Sequence, residues 1–337
     1  MSTKRPVVAI CYDFDGTLSP KNMQEFGFFH GLPEKERRSF WNESNGMAKK
    51  LGADQNLMYM KLMIEKAKQA GNDLKATREA FEGYGKDIVL FPGVKDWFAR
   101  IKQYGKANAV SVRHYIISSG LKELVEGSPI GDEFEEIYAC SFTYDKHGIA
   151  EWPRQVVNCT SKTQYLFRIN KGIKDESDTV LLNSYVRPED RPVPFSRMIY
   201  IGDGSTDIPC MRLVKDQGGY SIAVYRARSS KKKKDADKLF HDKRVNYIVP
   251  ADYSKGSNLD RLVKMIIERM AAEYRLERFA HKLNPTHEQV GEDDNIASSN
   301  ENNKKNMEVA SGDNLGGNEH KDDNRGPAPI VGVEIVE

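Results

Sequence analysis

Long apolar runs are missing: nowhere do the ~18 consecutive apolar residues of a membrane-spanning helix occur. The apolar stretch Val7–Cys11 near the start is cut short by Asp13 and is too brief for a secretory core, so a cytoplasmic location is expected. Cysteine is scarce. The four residues Cys11, Cys140, Cys159 and Cys210 are scattered and form no CxxC, which argues against a disulfide framework or a thiolate metal site. Each lies in or beside an apolar stretch, and buried reduced thiols are predicted. No sign of charge dominates either: 51 Lys and Arg face 49 Asp and Glu, a formal charge of +2 on 337 residues. Such a chain has no global field to gather nucleic acid or a membrane surface. Neither a nucleic-acid, a membrane nor a protein partner is therefore expected. Internal repeats are lacking as well.

The residues present alternate between two periods. Pro6–Tyr12 is a continuous β-branched run, the mark of a strand buried on both faces. Similar runs stand at His114–Ile117, Phe134–Cys140, Met198–Ile201, Tyr220–Val224 and Tyr247–Val249, with a turn at Asp145–Gly148 between two short strands. Helical spacing of apolar residues marks Pro33–Trp41, Asn56–Ala67, the stretch after Phe91–Val94, Leu121–Glu126 and Thr160–Ile169. Strands alternating with helices predict an α/β fold, a Rossmann-like, doubly wound parallel sheet whose ligands sit beyond the carboxyl ends of the strands. The helical segment 19–107 interrupts the alternation and reads as an insertion, leaving 1–18 and 108–255 for the core. Residues 256–282 predict a long amphipathic helix capped by Ser257. After Pro285 twelve acidic residues stand against four basic ones with no aromatics, so 283–337 is read as a disordered acidic tail that could be removed without loss of activity.

Three of the strands end in motifs suited to phosphate chemistry, and a parallel sheet sets such ends side by side. In Asp13-Phe14-Asp15-Gly16-Thr17, residues two apart at a strand end share a side, so Asp13 and Asp15 belong to one site. One carboxylate there can act as nucleophile and metal ligand while its neighbour moves a proton. Two crowded negative charges call for a divalent cation, and Gly16 frees backbone N–H groups to face a phosphate. Ser118-Ser119-Gly120, between strand and helix, offers hydroxyls and N–H groups to an anion. Gly202-Asp203-Gly204-Ser205-Thr206-Asp207 supplies hard oxygen ligands of the kind Mg2+ prefers. Lys162, at a helix start, can neutralise nucleophile and phosphate together, with Lys171 as its competitor.

These motifs, in this order, resemble those of the haloacid dehalogenase superfamily of phosphohydrolases over residues 6 to 250. DFDGT, IISSG, Lys162 and GDGSTD stand for the four motifs, and Phe91-Pro-Gly-Val94 is similar to the family's return from an inserted cap. The resemblance implies Mg2+ as cofactor and Asp13 as nucleophile, with Asp15 as general acid and then base. It implies that Ser118 and Lys162 hold the phosphoryl group, aided by Phe14, Gly16, Thr17, Ser119 and Gly120. Asp13, Asp203, Asp207 and the carbonyl of Asp15 would hold the metal.

A small phosphorylated metabolite is the implied substrate, hydrolysed through an aspartyl-phosphate. The helical cap is similar in position to that of phosphoserine phosphatases. An acid at Asp15 separates phosphatases from the family's dehalogenases, and absent membrane spans exclude its ion pumps. Two rivals stand beside this reading: a sugar-phosphate phosphotransferase or mutase, and a catalytically silent regulatory protein of the same fold. The lysine-rich run Arg226–Lys234 lacks interleaved aromatics and reads as a solvated loop rather than a nucleic-acid platform. Trp41, Arg37, Arg38 and Met58 are candidate readers of the leaving group.

Overall fold

A computed structural model describes residues 5–283, so the predicted acidic tail from residue 284 onward lies outside the described residues. The chain divides into two compact units, Met1–Glu277 and Arg278–Glu337; in the second, the described residues 278–283 are helical.

The first unit begins with β1 (Val7–Tyr12), followed by the helices α1 (Glu34–Leu51), α2 (Gln55–Ala70), α3 (Arg78–Gly85) and α4 (Val94–Ala107). Then come β2 (Ser111–Leu121), α5 (Lys122–Glu126), β3 (Glu136–Tyr144), β4 (Ala150–Gln155), α6 (Lys162–Lys171) and α7 (Thr179–Asn183). The chain closes with β5 (Met198–Gly202), α8 (Ile208–Asp216), β6 (Tyr220–Tyr225), α9 (Ser230–His241), β7 (Tyr247–Pro250) and α10 (Asn258–Leu283). The seven strands form one sheet in the order β4-β3-β2-β1-β5-β6-β7. All pairings are parallel except that of β4, which returns antiparallel on β3 at the edge. That exception follows from the short Asp145–Gly148 turn, since a tight connection can only join antiparallel strands.

Because side chains alternate across a strand, β1 shows how both faces are covered. Tyr12 meets α4, accepting a hydrogen bond from Trp97 Nε1 at 2.8 Å and packing edge-on against Phe98. Its neighbour Cys11 faces the other way, close enough to Cys210 of α8 for the two thiols to repel ionisation. Two faces covered by helices explain why β1 reads as an unbroken apolar run. Burial confirms three of the predicted cysteines, Cys11, Cys140 and Cys210, but Cys159 is exposed in the loop before α6, where polar neighbours surround it.

Between β1 and β2, α3 stacks Phe81 on Phe142 of β3, whereas α4 packs onto the sheet through Trp97 and Phe98. Aromatic contacts among Phe29, Phe40, Trp41 and Tyr59 tie the inserted segment into the same hydrophobic core as the sheet. The stretch Gly172–Pro194 is fastened from beneath: the buried Arg168 donates to the carbonyls of Asp175, Glu176 and Asp178. The lysine run contains the helix α9 rather than the loop expected, because Ser229 caps it and Ala236 and Leu239 bury its inner face.

Trp97 is fully buried, so Trp97→Ala should cost about 3–5 kcal/mol. Urea unfolding checks this, with the midpoint falling and the slope unchanged.

Candidate active site

The strand order reverses around β1, whose neighbours β2 and β5 are reached by different routes, and a crevice opens there at the carboxyl ends. Tyr12 pairs with Ile116 on one side and Ile201 on the other. Asp13 follows β1 at once and Ser118 and Asp203 stand two residues beyond those partners, so the three motifs lie at similar heights, and Asp13 N–H still donates to the Ile201 carbonyl at 3.0 Å. The crevice is a cavity of about 590 Å3 lined by Asp13, Asp15, Gly16, Ser118, Ser119, Gly120, Lys162 and Asp203 among others. All three strand-end motifs thus reach one space.

Lys162 is the hub. Its fully buried ammonium lies 2.8 Å from Asp13 Oδ1 and 2.7 Å from Asp207 Oδ1. Tyr200 O–H donates to the same Asp207 oxygen at 2.8 Å. Lys171, the competitor, is engaged elsewhere, donating to the carbonyls of Leu182 and Ser184.

Carboxylate oxygens of Asp13, Asp203 and Asp207 lie within 4.8 Å of one another. Burial, then the charge of Asp207, push the Asp13 carboxyl up to about 7 against the pull of Lys162. Asp15 is raised well above the carboxylate range by burial and by Asp13, although Met23 N–H donates to its Oδ1 at 2.9 Å. Asp203 is raised by burial and by Asp207. Burial disfavours the charged form of Lys162, but Asp13 and Asp207 outweigh it and hold the ammonium above its usual value. Ionised together, the four carboxyl groups would exceed the buried ammonium of Lys162 and the half-exposed one of Lys232. Hard oxygen donors, crowded and short of positive charge, fit a divalent cation such as Mg2+. Asp13 and Asp203 face the cavity directly, whereas Asp207 sits behind them. The Asp15 carboxyl stands outside the three-carboxylate cluster.

The remaining residues take supporting positions. Phe14 and Thr17 are fully buried and do not line the cavity. The Phe14 carbonyl accepts the N–H groups of Thr17, Leu18 and Ser19, which closes the loop around Gly16. Gly16 adopts a φ of +77°, and a β-carbon there would stand 2.3 Å from Asp203 Oδ2. Only glycine fits. Ser118 Oγ accepts from Gly120 N–H at 3.0 Å. Ser118–Gly120 occupy the irregular end of β2, and α5 starts only at Lys122, so no helix N-terminus crowns this motif as expected.

Two neighbours escaped the sequence reading. Lys232 reaches 2.9 Å from Asp203 Oδ2, and its signal was a lysine in a helix's first turn, where the helix dipole disfavours cations. Tyr200 was signalled by a lone hydroxyl within a wholly buried strand, since such a group needs a partner.

The helices outside the sheet close over this crevice. Tyr59 O–H donates to the Ser119 carbonyl at 2.8 Å, Asn56 Nδ2 to the Val157 carbonyl at 2.9 Å, and Asn158 Nδ2 to Asp54 at 3.0 Å. Of the four candidate readers, Trp41 lines the cavity, while Arg37, Arg38 and Met58 do not. Arg38 is instead paired with Glu34 on the exposed face of α1.

The model of the haloacid dehalogenase-like hydrolases matches residues 10–212. An uncharacterized protein of Borreliella burgdorferi is 27% identical over 285 residues, covering 77% of this chain and 96% of its own. A HAD family hydrolase from Salmonella enterica serovar Typhi aligns with a TM-score of 0.49 at 15% identity, covering 78% of this chain and 72% of that one. A substrate-bound phosphoserine phosphatase complex aligns with a TM-score of 0.46 at 14% identity, covering 78% and 99%. With the family model spanning more than half of its length, the chain belongs to the haloacid dehalogenase-like hydrolases.

Proposed function

We propose that the protein is a Mg2+-dependent phosphatase that hydrolyses a small phosphomonoester through an aspartyl-phosphate on Asp13. The observation carrying this reading is the buried Lys162 ammonium shared by Asp13 and Asp207 at the head of a cavity where Asp15 and Ser118 converge.

An oxygen of Asp13 attacks phosphorus, and the bond from phosphorus to the ester oxygen breaks. Lys162 offsets the repulsion between nucleophile and phosphate, and fixes the carboxylate for attack. Asp15, which its surroundings keep protonated, gives its proton to the departing oxygen. It next takes a proton from water, whose oxygen attacks the acyl phosphate; inorganic phosphate leaves and Asp13 is restored. Asp13, Asp203, Asp207 and the Asp15 carbonyl would hold Mg2+, which supplies charge neutralisation to the transferring group. Ser118 and the backbone around Gly16, Ser119 and Gly120 receive the phosphoryl oxygens. The inserted segment 19–107, apart from α4, which packs on the sheet, then forms a cap over the site, tied down through Tyr59 and Asn56, that excludes water and reads the leaving group. Transfer to an acceptor instead of water would mark a phosphotransferase or mutase.

A screen of phosphorylated metabolites for Mg2+-dependent release of free phosphate tests the assignment. Asp13→Asn should lower kcat by ~10³-fold or more, whereas Asp15→Asn should accumulate phosphorylated enzyme visible by intact mass. Activity of Asp13→Asn above a few per cent of wild type, on the order of the loss expected for an accessory group, would rule out the nucleophile.

The raised carboxyls also fix a sign for metal binding. A carboxyl whose folded value is raised stabilises the metal-free protein below its unfolded value of about 4, and that contribution is lost as pH rises through about 7. Mg2+ binds ionised carboxylates, so its gain in Tm should be larger near pH ~8 than near pH ~5.5. Calorimetry with and without Mg2+ measures this, and an equal gain at both pH values would contradict the placement of the ion.

A further inference from the structure

The cavity is lined by charge of both signs: Asp13, Asp15 and Asp203 stand at the reactive end, where Lys162 pairs with Asp13 and Lys232 with Asp203. Lys21, Arg226 and Lys231 also line it, and none of the three makes an ion pair or side-chain hydrogen bond among the described residues. Arg226 follows β6, whose Ala223 pairs with Gly202. It therefore lies two residues beyond the height of Asp203, roughly 7 Å farther toward the mouth at strand rise. Lys231 is in the first turn of α9, a helix that begins with lysines and has no acidic residue in that turn. Cations there oppose the helix dipole, and an anion in front of them would offset that repulsion.

The volume of about 590 Å3 far exceeds that of a bare phosphate and leaves space for a further group of the substrate.

Resting on the phosphatase reading above, we propose that the substrate is a phosphomonoester carrying a second anionic group, a phosphate or a carboxylate, held by Arg226 and Lys231. The reader of this handle is then the loop and helix after β6 as well as the inserted cap. Lys232 is already paired with Asp203 and takes no part.

The test uses the full chain and a matched series of alkanediol phosphates, in which the far end of a three- or five-carbon spacer is a hydroxyl, a carboxylate or a second phosphate. The wild-type protein should prefer an anionic far end, chiefly through KM. In Arg226→Gln/Lys231→Gln, the ratio of kcat/KM between anionic and hydroxyl substrates should fall about tenfold, an effect that general damage to the fold cancels out of. Which anion gains more identifies the handle. A wild-type ratio near one, or a ratio unchanged in the double variant, would overturn the proposal. Titration of the same ligands into Asp13→Asn protein separates the two readings. Salt-sensitive binding of the anionic members that disappears with the double variant supports the subsite even where no member is turned over. Equal binding of all members removes the subsite even where phosphate is released.

Discussion

The ammonium of Lys162, fully buried between Asp13 and Asp207, is the contact on which the rest of the site depends. Removing a charge from water is expensive, and the cost is recovered only when geometry is good and the remaining donors and acceptors are met. Each of these demands fixes a piece of the fold. Asp13 must leave β1 at the height where β5 ends, which the register of Tyr12 with Ile201 secures. Asp207 must be held rigidly, and Tyr200 from β5 binds the oxygen that Lys162 also uses. Lys162 must arrive from α6, which packs against β3 through the stacked rings of Tyr165 and Tyr138. Three separate stretches of chain are placed by one triad.

The triad also leaves a deficit of positive charge. Lys162 neutralises one of four carboxylates, and Asp13, Asp15 and Asp203 are raised first by burial and then by one another's and Asp207's charge. Lys232 answers part of it from a half-exposed position, where solvent weakens the pairing. A site left this short of cationic charge suits a dianionic phosphate only when a divalent ion joins it.

Much of this was legible before any coordinates. Strands buried on both faces announce themselves as continuous apolar runs, so β1, β5 and β6 were plain, and with them the motifs at their ends. The edge strand β4 was harder: Ala150–Gln155 carries Glu151 and Arg154 outward and pairs on one side only. Lys162 could not be told from Lys171 by position, because both belong to α6. Tertiary packing decides between them, sending one inward to the carboxylates and the other to the carbonyls of Leu182 and Ser184. The run of lysines was misjudged for a similar reason. Composition suggests solvation, yet Ser229 as cap and the apolar pair Ala236 and Leu239 were sufficient to make α9.

The glycines of the two acidic motifs show why those motifs belong to one site. A side chain at Gly16 would strike Asp203, which comes from the other motif, and one at Gly202 would approach Asp207 Oδ2 to 2.6 Å. The spacing that looks like a phosphate signature is thus also a packing rule: carboxylates from one loop rest against bare backbone of the next. Neither loop can drift without opening the cluster. The surfaces that face the carboxylates across the cavity, on the inserted helices and the start of α9, lie outside this packing, so under the proposed reaction they are where a leaving group would be read.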